Sequence, residues 1–86
     1  MISSLQEFDN HKFIHIIHEP AAQLKAFVAI HRGDAINPSF GATRLWKYDS
    51  EKDALNDALR LARLMSSKAA HAGLRYGGGK AVIMEP

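Results

Sequence analysis

Two lysines are the residues of this chain most able to do chemistry. Lys68 falls among the apolar positions of what reads as a long helix, and Lys80 follows three consecutive glycines, Gly77-Gly78-Gly79. A partly buried ammonium is costly unless a negative group meets it. Two such cations, separated by a turn and a glycine run, suggest a site for a small carboxylated ligand. One would grip the acid group. The other, partly desolvated beside a second cation, would serve as a base near neutral pH. Each feature also has a plainer reading. Lys68 can rest its stem on the core and lift its head into water, and a glycine run can be a flexible turn entering a strand. The run is no P-loop, because Leu74 stands where the first glycine is required and Ala81 replaces the Ser or Thr. It also lacks the spaced glycines of a dinucleotide fingerprint.

Phe40-Gly41-Ala42-Thr43-Arg44 is a third piece. Beside two lysines, Gly41 and Ala42 would present backbone N–H groups to a carboxylate. The histidines suggest no metal site. His15 and His18 are three apart in an expected strand and so face opposite sides, and His11, His31 and His71 have no ligand spacing. Trp46, Tyr48 and Tyr76 read as packing residues.

The elements that must hold these residues read as strand, strand, strand, long helix, strand. Phe13 to Glu19 is a strand stopped by Pro20, and Ala26 to His31 a second, joined to it by a hairpin-like connection over 20–23. Turn signals fill Arg32 to Ser39, and Phe40 to Trp46 is a third strand with a glycine inside it. Ser50 opens the helix as N-cap, with Glu51 and Asp53 in its first turn, and Gly73 stops it. Ala54, Ala58, Leu61, Met65, Ala69 and Ala72 give the expected buried stripe, with Lys68 inside it. Lys80 to Met84 reads as the last, buried strand. The fold class is α/β (α+β): a small mixed sheet with one long helix.

The whole chain is 86 residues, 47% hydrophobic and 23% charged, which is the composition of one globular domain. A core of this size is marginal unless another segment or subunit completes it. The expectation is an early portion of something larger. Eleven basic residues against nine acidic ones make too even a balance for a nucleic-acid footprint. Without cysteine there are no disulfides, thiolate sites or cysteine nucleophiles. Neither a secretory leader nor a membrane-spanning run is visible, so the expected setting is cytoplasmic, with no membrane partner.

Several segments taken together resemble one family. They are Ala26 to His31, Gly41-Ala42-Thr43-Arg44-Leu45-Trp46, Asp57 to Arg63, Met65-Ser66-Ser67-Lys68-Ala69-Ala70, and Ala72-Gly73-Leu74 ahead of Gly77-Gly78-Gly79-Lys80-Ala81-Val82-Ile83. The chain is similar to the glutamate/leucine/phenylalanine/valine dehydrogenases, in the N-terminal domain of the leucine-dehydrogenase-like branch. The likeness runs from about Leu24 to Pro86. It implies NAD-dependent oxidative deamination of an L-amino acid to its 2-oxo acid and ammonia, by a homo-oligomer. Lys68 would pair with the substrate α-carboxylate, and Lys80 would be the catalytic lysine that activates water. Gly41 and Ala42 would help hold the carboxylate, and Phe40 and Met65 would complete the substrate-binding set. Where glutamate-specific relatives have a lysine, the apolar Phe40 favours an aliphatic or aromatic substrate. Two departures stand out: Ala42 where the family has a second glycine, and Ser67 where relatives often have an aromatic residue. By this likeness residues 1–86 are a partial substrate-binding and dimerisation domain, without the nucleotide-binding domain, and inactive alone. The alternative is a self-associating module with no chemistry, joined through a strand edge near residues 13 to 31.

Overall fold

The computed structural model describes residues 2–34 and 36–86. Four strands form one mixed sheet, β1 (Phe13–Glu19), β2 (Leu24–Ile30), β3 (Ser39–Trp46) and β4 (Gly77–Met84), and the helix α1 (Glu51–His71) covers one face of it. The order across the sheet is β1-β2-β4-β3. β1 and β2 form an antiparallel hairpin, β2 and β4 are antiparallel, and β3 and β4 are parallel, with α1 as their crossover. This is the expected small mixed α/β arrangement.

Local chemistry sets most boundaries. Pro20 ends β1 and opens a short 3-10 turn, and Gln23 takes the left-handed conformation (φ 52°) that reverses the chain. Asp34 organises the 32–39 connection, its carboxylate accepting from the Ile36 and Asn37 amides at 2.8 and 2.7 Å. Ala35, within that expected turn, lies outside the described residues. Ser50 caps α1 by accepting from the Asp53 amide at 3.1 Å. At the other end Gly73 (φ 73°) donates to the Ala70 carbonyl and Leu74 to that of Ala69, the paired closure of a Schellman motif.

The core lies between α1 and the sheet: Phe27, Ala29 and Val82 against Ala54, Leu55, Ala58, Leu59 and Ala62. This corrects the expected stripe. Ala54 and Ala58 are in it, but Leu55, Leu59 and Ala62 are buried, whereas Leu61, Met65 and Ala69 are only half-buried and Ala72 is exposed. The buried face is rotated toward Leu55 and Leu59, so Lys68 lies outside it and is exposed. Apolar residues occur almost all round this helix, and the alanines on the buried side let its axis come closest to the sheet.

The glycine run also differs from expectation. Gly77, Gly78 and Gly79 are buried residues of β4, so the strand begins three residues before Lys80. Gly77 and Gly78 admit protein backbone. A Cβ on Gly77 would lie 1.6 Å from the Arg32 carbonyl oxygen, and one on Gly78 would lie 2.0 Å from the Ala62 oxygen and 2.4 Å from the Ser66 nitrogen. Only glycine lets the strand press onto the helix there. Among the described residues no helix covers the opposite sheet face, where Phe13 and Leu45 are exposed. No helix among the described residues is long and apolar enough to cross a membrane.

Candidate functional site

Strand alternation fixes which residues share a face. Val82 and Phe27 are in the core, so Gly78 and Lys80 of β4, Ala29 of β2, and Phe40, Ala42 and Arg44 of β3 all lie on the α1 side. Lys80 is half-buried and stands between Ala29 and Ala42 in register, two small neighbours that leave room around its stem. Phe40 is opposite Gly78, and its ring meets that of Tyr76 at 4.3 Å between centroids. Met65 comes down on α1 beside Gly78, its Cβ 2.8 Å from where a Gly78 side chain would begin. Lys68 lies one turn further along, near the helix's negative end. Thus Phe40, Ala42 and Lys80 share the covered sheet face, with Met65 and Lys68 on the last turns of the helix above it.

Gly41 and Ala42 divide by direction. The Gly77 amide donates to the Pro38 carbonyl and the Glu85 amide to that of Trp46. That phase turns the backbone groups of Phe40, Ala42, Arg44 and Trp46 toward β4, and those of Gly41, Thr43 and Leu45 toward the open edge. The Ala42 amide is therefore in the ladder. The Gly41 amide is the one left for an anion. Gly41 also has no room for a side chain, since a Cβ would lie 1.6 Å from the Gly79 oxygen. Ala42 carries its methyl on the α1 side without displacing the strand.

A second cluster was invisible in the sequence pattern. The His31 ring is 7% exposed, its Nε2 2.7 Å from Asp9 Oδ2 and its Nδ1 2.8 Å from Ser66 Oγ. Ser66 Oγ accepts from the Gly78 amide at 2.8 Å, and the Gly78 carbonyl accepts from the His31 amide at 2.7 Å. His11, edge-on to His31 at 4.8 Å, accepts from the Asp9 amide through Nδ1 at 3.1 Å, and its Nε2 donates to the Leu59 carbonyl at 2.7 Å. Burial lowers the His11 pKa below the usual imidazole value. The hydrogen bond with His31, working against desolvation, lowers that of the Asp9 carboxyl. The links from His31 to Asp9 and Ser66 and from His11 to Leu59 span 22 to 48 residues, and no spacing rule joins them.

At the far end of the crossover Asp57 accepts from the Tyr48 hydroxyl at 2.5 Å and from Arg60 at 2.8 Å, and pairs with Arg44 at 3.6 Å. Burial works against the Asp57 carboxylate, but those donors outweigh it and its pKa is lowered. Burial and the neighbouring Asp57 raise that of Tyr48 to about 12. Arg44 also lies 4.4 Å from the Trp46 ring centroid. The described residues do not suit NAD. Glu51 and Asp53 occupy the first turn of α1, where a pyrophosphate would have to sit, and the loop from β3 has no glycine.

Known proteins give these elements a family. Residues 13–85 match the model for the "Glu/Leu/Phe/Val dehydrogenase, dimerisation domain". Leucine dehydrogenase of Geobacillus stearothermophilus is 57% identical over 61 residues, covering 71% of this chain and 16% of that protein. Leucine dehydrogenase of Bacillus subtilis is 44% identical over 80 residues, 93% of this chain and 21% of that protein. Valine dehydrogenase of Streptomyces coelicolor is 49% identical over 74 residues, 86% and 20%. Among solved structures, L-tryptophan dehydrogenase of Nostoc punctiforme superimposes with a TM-score of 0.79 at 45% identity, over 88% of this chain and 22% of that one. The chain thus spans about a fifth or less of the curated relatives named here. With the sheet order, the crossover helix and the lysine segments in place, the chain belongs to the Glu/Leu/Phe/Val dehydrogenase family, in its dimerisation domain and on the leucine-dehydrogenase-like branch.

Proposed function

We propose that these residues form the substrate side of an amino-acid dehydrogenase that oxidatively deaminates an apolar L-amino acid to its 2-oxo acid and ammonia. The observation that carries this reading is the position of Lys80: half-buried between Ala29 and Ala42, beneath the helix whose last turns bear Met65 and Lys68. Lys68, exposed at the helix end, pairs with the α-carboxylate, and the free Gly41 amide assists it. The amino acid would become an imine by giving up its α-hydrogen as hydride to NAD and the proton of its amino group to solvent. Lys80 takes the proton from the water that adds to the imine carbon. A C–O bond forms there, and the C–N bond then breaks to release ammonia. Phe40, Tyr76 and Met65 form an apolar wall suited to a hydrocarbon side chain. Relatives named for leucine, valine and tryptophan support that substrate class. NAD, expected from the family resemblance, would be held by a separate nucleotide-binding domain, because the residues of this chain do not suit it.

The test is NADH formation from L-leucine by the enzyme that carries this chain. Lys80→Ala should lower kcat by about a thousandfold or more, as loss of a general base and its charge does. Lys68→Ala should chiefly raise KM. An unaltered rate in Lys80→Ala would remove the assignment.

The second reading, assembly, is favoured by the matched dimerisation domain and by the sheet edges. Of the expected 13–31 edge only β1 is free, since β2 pairs on both sides. Homo-oligomerisation is compatible with catalysis. A monomer by sedimentation at high concentration would argue against it.

A further inference from the structure

Asp9, His31 and Ser66 take no part in the proposed chemistry, yet they form a continuous line of hydrogen bonds that runs from the half-exposed Asp9 through the buried His31 and ends on Gly78. In the neutral tautomer that satisfies every partner, His31 Nε2–H donates to Asp9 and Nδ1 accepts from the Ser66 hydroxyl. Ser66 Oγ in turn accepts the Gly78 N–H. The His31 amide takes the other side of the same peptide position by donating to the Gly78 carbonyl. Gly78 is therefore held through both of its backbone groups, at a point where β4 presses on the backbone of α1.

The two ends of this contact matter because each lies close in sequence to one of the lysines. Ser66 stands two residues before Lys68 on α1, and Gly78 two residues before Lys80 on the same face of β4. The link between Ser66 and Gly78 is the direct bond between the helix turn that carries one lysine and the strand that carries the other. We infer that Asp9, His31 and Ser66 are positioning residues that set the separation between Lys68 and Lys80, acting through the backbone of Gly78. The inference rests on the two-lysine reading of the site. Asp9 orients the imidazole, the imidazole orients the Ser66 hydroxyl, and the hydroxyl fixes the strand. A hydroxyl at position 66 is the functional requirement. It touches neither substrate nor reacting atoms.

The experiment uses the enzyme that carries this chain, with L-leucine as substrate. Ser66→Ala removes the link. The expected result is a kcat lowered about 10- to 100-fold, as for a reacting group displaced by a fraction of an ångström to an ångström, with KM changed less than about threefold. Exchange of the Gly78 amide should accelerate at least about tenfold. Ser66→Thr, which restores the hydroxyl, should recover both. Asp9→Asn, a change at a half-exposed position, should give a smaller fall in kcat in a protein that still folds, and nitrogen NMR should show the His31 proton on Nε2. Unchanged kcat in both Ser66→Ala and Asp9→Asn would overturn the relay, as would Ser66→Thr behaving like Ser66→Ala. If Lys80→Ala retains full activity the site reading itself fails, and the proposed role falls with it. Loss in Lys80→Ala with none in Ser66→Ala refutes the relay alone.

Discussion

Gly78→Ala is the sharpest test of how α1 sits on the sheet. The added methyl carbon would lie 2.0 Å from the Ala62 carbonyl oxygen, 2.4 Å from the Ser66 nitrogen and 2.8 Å from Met65 Cβ. Two of these are backbone atoms of a helix interior and have no rotamer to change. An ordinary carbon–oxygen contact needs about 3.2 Å or more, so strand and helix must separate by roughly 1 Å. That opens the interface in which Leu59, Ala62 and Val82 are fully buried. Overpacking of this kind costs about 1–3 kcal/mol, and stretching the Gly78–Ser66 hydrogen bond about 1 kcal/mol more. The stiffer unfolded chain returns about 0.4–1 kcal/mol. The net is about 2–3 kcal/mol, a large share of the roughly 4–13 kcal/mol usual for 86 residues. At about 4–8 °C per kcal/mol the midpoint should fall by some 10–20 °C in thermal unfolding followed by circular dichroism. Gly73→Ala is the control. Nothing lies within 4 Å of its Cβ position, but its φ of 73° costs an alanine about 1–2 kcal/mol. A Gly78→Ala melt within 2 °C of the parent would refute the packing argument.

Other outcomes concern the two polar clusters. Asp57→Asn removes the charge facing Arg44 and Arg60 and leaves the buried Arg44 Nε, already without a hydrogen-bond partner, facing a neutral amide. Urea unfolding should show a loss of about 1–3 kcal/mol, and Tyr48→Phe about 1 kcal/mol. The pH dependence has a definite sign. His11 has a folded-state pKa below its unfolded value near 6.5, so the unfolded chain takes up the proton first. Stability is full above about pH 6.5 and is lost as pH falls through the folded value. Melting at pH 7 and pH 5 should show this slope, and His11→Gln should flatten it. Asp9 and Asp57, both lowered, add a second loss below about pH 3.8.

Much of this was readable from the sequence wherever the cause is local. Ser50, Gly73 and Pro20 mark boundaries through their own backbone and side-chain chemistry, and the strands show as runs of β-branched and aromatic residues. The phase of α1 was not readable. Between Ala54 and Met65 apolar residues fall on most sides, and only the sheet selects Leu55 and Leu59 over Leu61. The glycine run misleads for a similar reason. Its weak strand propensity suggests a turn, and the need for glycine arises only when Arg32 and α1 are in place. His31 gave no signal because its partners come from three distant segments. Lys80 was marked by its neighbours in sequence, but its pairing with Ala42 needed the register.

One property of the topology bears on how the molecule is made. β4, which joins the hairpin to β3, follows the other three strands of this sheet in the chain. Until residues 77–84 emerge, β3 lacks its hydrogen-bonding neighbour and α1 a surface on which to settle. Only the β1–β2 ribbon can close early, from local contacts. Assembly of this sheet thus waits on residues 77–84, and a chain ended before Gly77 should yield a frayed ribbon and an unsupported helix instead of a smaller version of the fold.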